Sequence, residues 1–134
     1  MHGLISSLGL EKKVKLTGPR TDVAAVMNSF DVFVHASIAE SFGMVFIEAF
    51  ALGKPIVSTA VGVAVEIIDV NMNGFLANGT DPASLAEAMA KMIAAHDRWG
   101  RMGENGKFRS RDFDVRKTQK VCDELYFKWL KRDI

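Results

Sequence analysis

Short β-rich segments alternate with helical segments along most of this 134-residue chain. The β-rich runs are Val14–Thr17, Asp31–His35, Ile56–Ser58 and Phe75–Ala77. Residues with helical spacing separate each run from the next. Because neighbouring parallel strands need a crossover connection, the alternation predicts an α/β fold in which a parallel sheet of about four strands has helices on both faces.

The helices predicted between these runs differ in character. Segment 43–52 is apolar on every face, which predicts a helix buried on all sides, with Glu48 as its only charge. Asp81 followed by Pro82 is typical of a helix start. Gly100, Gly103 and Gly106 interrupt the helical material after Trp99, and we expect them to mark helix ends. The remaining helical patterns centre on Leu4–Leu8, Val23–Met27, Glu66–Ile68 and Val121–Trp129.

The composition argues against several classes of function. A net charge of +1 gives no general attraction for nucleic acid. The single cysteine, Cys122, excludes an internal disulfide framework; it lies in an apolar helical stripe and is expected to be buried. No His/Cys cluster indicates a metal, and no attachment point for a cofactor is visible. No apolar run is long enough to span a membrane, so we expect a cytoplasmic location.

Two carboxylates bracket the segment that carries the strongest functional signal, Glu40-Ser-Phe-Gly-Met-Val-Phe-Ile-Glu48. A buried carboxylate such as Glu48 needs hydrogen-bond donors, and ligand hydroxyl groups would supply them. Unpaired backbone amides at the start of the helix, together with the helix dipole, suit a diphosphate. The segment therefore favours a nucleotide-sugar site at the carboxyl ends of the strands.

Structural explanations stay open for the same residues. Glu40 could be an ordinary loop carboxylate, and Glu48 could be satisfied by a neighbouring backbone group. His35 is interpreted as a hydrogen-bonding residue at a strand end, because no nucleophile with suitable spacing accompanies it.

These residues form a longer pattern: S-x-x-E-S-F-G-x-x-x-x-E-A, then G-K-P-I-V-S-T, a glycine loop with x-E-I-I, and N-G-F-L-A. The pattern resembles the C-terminal, nucleotide-sugar-binding half of retaining glycosyltransferases with the two-domain GT-B architecture, of the group 1 or family 4 type. The resemblance runs from about Leu4 to the final helix and implies a Rossmann-like sheet within a partial GT-B C-terminal domain.

The resemblance implies a role for each matching residue. Glu40 matches the glutamate that contacts the transferred sugar and is the candidate catalytic residue; Glu48 matches the one that holds the ribose. Arg20 lies in a loop whose counterpart borders the nucleobase. Four successive residues match contacts with the donor sugar and diphosphate: Ser41, Phe42, Gly43 and Met44. The family needs no protein nucleophile on the usual view, since the leaving diphosphate is stabilised electrostatically.

The chain departs from the family pattern in two ways. Val63 and Val65 stand where the family usually has glycine and often proline, which leaves the path of the loop after Gly62 open. The family's first two strand–helix units, the basic diphosphate clamp they carry and the acceptor-binding domain have no counterpart. In the family those strands lie between Val14–Thr17 and Asp31–His35, so we expect either direct pairing of these two segments or coverage by a partner chain.

The resulting hypothesis is that residues 1–134 form a single, incomplete glycosyltransferase C-terminal domain. It would bind the nucleotide-sugar donor of an enzyme that transfers a hexose-type sugar to a glycan or lipid in polysaccharide biosynthesis, and it would be inactive alone. We expect the full enzyme to be cytoplasmic, either free or peripheral to the inner membrane. Expected partners are the nucleotide-sugar and either the acceptor domain or a second copy of the chain. The alternative is a non-catalytic, homo-oligomeric interaction module; a sugar epimerase or phosphorylase fits the two glutamates less well.

Overall fold

The computed structural model describes residues 1–130, and within them three parallel strands form one sheet. The strands are β1 (Phe33–His35), β2 (Ile56–Thr59) and β3 (Gly74–Ala77), and β2 lies in the centre. Phe33 pairs with Ile56, which in turn pairs with Gly74. The prediction of an α/β fold with a parallel sheet is confirmed.

Seven α-helices connect and cover these strands within the described residues. Two single 3-10 turns, His96–Arg98 and Arg111–Phe113, precede the last two helices. The helices are α1 (His2–Ser7), α2 (Val23–Asn28), α3 (Met44–Ala51), α4 (Ala64–Ile67), α5 (Pro82–Ala94), α6 (Trp99–Ser110) and α7 (Val115–Leu130).

Segment Val14–Thr17 is not a strand, in contrast to the sequence prediction of about four strands. Its alternating residues Val14 and Leu16 are both exposed. Among residues 1–130, β1 pairs only with β2, so the expected direct pairing of β1 with Val14–Thr17 was wrong, whereas coverage by a partner chain stays a prediction. A strand pattern becomes a strand only where a neighbour supplies ladder hydrogen bonds, and here none lies alongside.

The two faces of the sheet are covered by different helices. On one face Ile56 packs with Phe46 and Phe50 of α3, and all three are fully buried. On the other face Val57 packs with Met92 of α5. Successive residues of β2 thus enter opposite cores, as the alternation of side chains in a strand requires.

The glycines of α6 lie inside the helix, so the prediction that they mark helix ends was wrong. A Cβ atom at Gly103 would lie 2.2 Å from the carbonyl oxygen of Gly53, and one at Gly106 would lie 2.5 Å from the Phe50 ring. These two glycines therefore let α6 approach the end of α3 closely, whereas Gly100 faces open space.

Helix α7 has no buried residue. Cys122 is exposed on it, which contradicts the expectation of a buried thiol. The aromatic residues Tyr126, Phe127 and Trp129 are also exposed. An apolar stripe predicts burial only if another element packs against it, and none of the described residues covers this helix face. No helix among the described residues is long and apolar enough to cross a membrane.

Candidate functional site

The candidate site lies where β1 and β2 end and the following loops meet the start of α3. His35 is the last residue of β1, and Thr59 is the last residue of β2. The Thr59 hydroxyl donates a hydrogen bond of 2.6 Å to the carbonyl oxygen of Ser37. This bond ties the loop after β1 to the end of the neighbouring strand. Ligands of open parallel sheets bind at this edge.

Two glycines hold the backbone and side chain of Glu40 in place. Gly62, with a φ of +50°, lies so close that a Cβ atom there would be 2.5 Å from the carbonyl oxygen of Glu40. A Cβ atom at Gly43 would lie 3.0 Å from Cγ of Glu40. The loop after β2 therefore packs directly on the loop that carries Glu40. Gly62 was visible in the sequence as the glycine of this loop. Val63 and Val65, which depart from the family pattern, had left the path of the loop open.

The carboxylate of Glu40 is partly buried and has a polar neighbour at each oxygen. Its Oε1 accepts a hydrogen bond of 3.0 Å from the backbone amide of Ser41. Its Oε2 lies 3.5 Å from Nε2 of His35. The side chain is 23% exposed, so an incoming ligand can still reach it.

The start of α3 presents free backbone donors next to Glu40. Gly43 precedes the helix in the left-handed conformation, with a φ of 74°. The amides of Phe42, Gly43 and Met44 donate no hydrogen bond to any residue in the described part of the chain. Such amides and the positive end of the helix dipole favour an anion.

Glu48 is exposed, so the prediction of a buried carboxylate was wrong. The helix is not buried on all sides either: Met44 is 58% exposed, and Ala51 is exposed. These residues recur at helical spacing and form one solvent-facing stripe of α3. This stripe starts at Met44, in the first turn of α3 beside Glu40. Glu48 therefore lies on the same face of α3 as Met44, about one turn further along the helix.

Arg20 lines a small groove of about 230 Å³ together with Thr17 and Val45. The groove brings the loop after Val14–Thr17 next to the first turn of α3. Two hydrogen bonds join the Arg20 guanidinium to the Asp22 carboxylate, at 2.7 and 2.5 Å. The Arg20 hydrogen bond lowers the pKa of Asp22 below its ordinary value of 3.8. The charge of Arg20 is thus offset within its own loop.

Phe42 has an aromatic partner that sequence analysis did not identify. Its ring lies 6.0 Å from the ring of Phe113, edge to face. The Arg109 guanidinium lies 5.6 Å from the Phe113 ring and donates a hydrogen bond to the carbonyl oxygen of Glu66. The 3-10 turn after α6 therefore packs against the Ser-Phe-Gly turn. No periodicity links residue 42 to residue 113, so only the tertiary fold reveals the contact.

The described residues do not bring together a set of side chains that could bind a metal ion. No group of three or more His, Cys, Asp or Glu side chains there could hold a metal ion. The polar groups that converge on the site include the Glu40 carboxylate, the His35 imidazole, the hydroxyls of Ser37 and Thr59, and backbone amides.

Comparison with known proteins relates this architecture to enzymes. The family model of Glycosyl transferases group 1 matches residues 1–109. A D-inositol 3-phosphate glycosyltransferase of Corynebacterium kroppenstedtii is 33% identical over 125 residues, which are 92% of this chain and 28% of that protein.

Solved structures agree with this relationship. Anabaena HepE in complex with UDP is 33% identical with a TM-score of 0.84, over 93% of this chain and 35% of that one. HepE is also known in complex with UDP-glucose. Sucrose-phosphate synthase from Thermosynechococcus elongatus is 29% identical with a TM-score of 0.84, over 96% of this chain and 33% of that one.

The chain spans about a third of the length of these relatives. The matches include the parallel sheet and the segment from Glu40 to Glu48 that forms the site. The chain therefore belongs to the group 1 glycosyl transferases, enzymes of the GT-B fold.

Proposed function

We propose that this chain is the donor-binding portion of a retaining glycosyltransferase and binds a nucleotide-diphosphate sugar. One observation carries the proposal. The loop of Gly62 holds Glu40 against the start of α3, where the amides of Phe42, Gly43 and Met44 have no partner among the described residues. An oriented carboxylate thus lies beside a cluster of free donors, which suits a ligand with sugar hydroxyls and a diphosphate.

Each part of the ligand has a matching group. Glu40 accepts hydrogen bonds from hydroxyls of the transferred sugar. The amides following Ser41 bind the diphosphate and stabilise the charge that develops on it as the sugar leaves. Glu48 binds the ribose hydroxyls; because it is exposed before the ligand arrives, it carries no desolvation penalty in the free protein. The groove beside Arg20 receives the nucleobase.

A uridine nucleotide is the first donor to test, because the Anabaena relative was solved with UDP and with UDP-glucose. We further propose that the sugar goes to a glycan or lipid acceptor in polysaccharide biosynthesis, and that the chain alone transfers none. The relatives are about three times longer, and the Arg20 guanidinium is already paired with Asp22. Residues 1–134 would then act as one incomplete domain.

Titration of the chain with UDP-glucose, followed by NMR or calorimetry, tests the proposal. We expect a dissociation constant near 1 mM, equivalent to about 4 kcal/mol of binding free energy. Glu48→Ala should weaken binding of both UDP and UDP-glucose, because both carry the ribose. Glu87→Ala is the matched control, since Glu87 is an exposed helical carboxylate that pairs with Lys91 on α5. Equal binding by the two variants would refute the role of Glu48, and no binding of UDP-, GDP- or ADP-sugars by the wild type would refute the proposal.

A second candidate is a homo-oligomeric interaction module, and the outer edge of β1, which pairs with no strand among residues 1–130, supports it. Beside β1, a groove of about 390 Å³ lies between the sheet and α5, lined mainly by apolar side chains including Phe30, Val34 and Trp99. Val34 is 39% exposed there, and unpaired strand edges invite association. Sedimentation velocity over a range of concentrations tests it. Self-association that Val34→Lys abolishes would support this function, whereas a concentration-independent monomer would exclude it.

A further inference from the structure

His35 has an environment that its position at a strand end does not explain. Its Nε2 lies 3.5 Å from Oε2 of Glu40 and 3.3 Å from the hydroxyl oxygen of Ser37. Its Nδ1 is buried and has no hydrogen-bond partner among the described residues. The imidazole therefore has one polar edge, and that edge faces the loop of Glu40.

Packing fixes the plane of the imidazole ring. The ring of Phe46, which is fully buried, lies 4.6 Å from the His35 ring at an angle of 61°. The ring of Phe33 lies on the same face of the sheet at 6.3 Å. Only 14% of the His35 side chain is exposed. A ring held in this way presents Nε2 in one direction.

The unpartnered Nδ1 favours the tautomer that carries its proton on Nε2. A proton on Nδ1 would leave a buried N–H without an acceptor, and an unmade bond of this kind costs free energy. A proton on Nε2 instead points at the Glu40 carboxylate and the Ser37 oxygen. In the Nε2–H tautomer the ring has its N–H where acceptors are and its bare lone pair where no donor is.

We propose that His35 is a positioning residue for Glu40: the Nε2–H tautomer holds Oε2 of the Glu40 carboxylate while the Ser41 amide holds Oε1. With both oxygens fixed, the remaining lone pairs are aimed at a hydroxyl of the donor sugar. The inference rests on the proposed donor site, because it assigns the sugar to Glu40. It predicts that loss of His35 weakens the binding of UDP-glucose, which carries the sugar, and leaves the binding of UDP unchanged.

The first test needs no ligand. Long-range ¹⁵N–¹H spectra of the full chain at neutral pH report the tautomer of His35, and we expect the Nε2–H form. The ¹³C shift of the Glu40 carboxyl carbon should change when His35 is replaced by Met, which has a similar volume and no donor. An Nδ1–H tautomer in the wild type would overturn the proposal without any variant having to fold.

The second test compares UDP-glucose with UDP. His35→Met should weaken UDP-glucose binding about fivefold, which corresponds to about 1 kcal/mol, and leave UDP binding unchanged. His35→Gln places an amide donor near the position of Nε2 and should restore most of the affinity. His96→Met is the matched control, because His96 is an exposed histidine in a 3-10 turn.

The outcomes separate the two proposals. UDP-glucose affinity that is unchanged in His35→Met, or equal losses for UDP and UDP-glucose, would overturn the positioning role. If the wild type binds neither ligand, the donor site itself fails, and the tautomer and the Glu40 carboxyl shift still decide whether His35 contacts Glu40.

Discussion

Replacement of Gly62 by alanine tests whether the loop after β2 holds Glu40 in place. The φ of Gly62 is +50°, where an L-residue is strained, and its added Cβ would lie 2.5 Å from the carbonyl oxygen of Glu40. Real Cβ contacts essentially never fall below 3.0 Å, so the two loops must move apart by at least about 0.5 Å. Gly9 has a similar φ of +64° and nothing within 4 Å, which makes Gly9→Ala the control for backbone strain alone.

The two variants differ in the size of the expected loss. Left-handed strain costs about 1 kcal/mol at either position. Gly62→Ala adds the cost of forcing apart a packed contact, about 1 to 3 kcal/mol. At about 4 °C per kcal/mol for a chain of this size, Tm should fall about 4 °C in Gly9→Ala and about 8 to 16 °C in Gly62→Ala.

Circular dichroism melts and UDP-glucose titration measure the two effects. Because displacement of Glu40 disturbs the proposed sugar contact, Gly62→Ala should also bind UDP-glucose at least fivefold more weakly, as about 1 kcal/mol of lost contact implies. Gly9→Ala should bind as the wild type does. If Gly62→Ala melts within about 2 °C of Gly9→Ala, the packing of the Gly62 loop on Glu40 is not as tight as the structure indicates.

Three further predictions test the correctness of the fold. Gly100→Ala should raise Tm by about 3 °C, because alanine favours a helix and Gly100 faces open space. Gly103→Ala should lower Tm, because its Cβ would meet the carbonyl oxygen of Gly53. Thermal melts that rank the two variants the other way would refute the α3–α6 contact. The hydrogen bond from Arg116 lowers the pKa of Asp114 from 3.8 to about 2, so the stabilisation that Asp114 gives should be complete above about pH 4 and lost as the pH falls to about 2. Urea melts of wild type and Asp114→Asn should accordingly converge at low pH, and a constant difference would contradict the assignment. Cys122 is exposed, so a thiol reagent should modify it in the folded chain nearly as fast as in urea; protection of the thiol would show that α7 is covered in solution.

Local patterns in the sequence were sufficient to predict the three strands that form and the start of α5. Three β-rich runs became the three strands, because each of them pairs with a parallel neighbour. Asp81 caps α5 through a hydrogen bond from the Ser84 amide, as the Asp-Pro pair predicted. The motif around Glu40 was likewise visible in the chain, because its spacing and its glycines are local features.

Tertiary structure decided what these patterns could not. Periodicity predicted burial for Glu48 and Cys122, and both are exposed, as is the end of α7. A side chain is buried only if another element packs against it, and periodicity does not identify that partner. The same holds for Val14–Thr17, which alternates as a strand does but has no described neighbour to pair with. Contacts between distant residues, such as Gly62 with Glu40, arise only when the sheet brings successive loops to one edge. The sequence by itself therefore determined the fold class and the chemistry available at the site, whereas long-range packing determined which side chains face each other there.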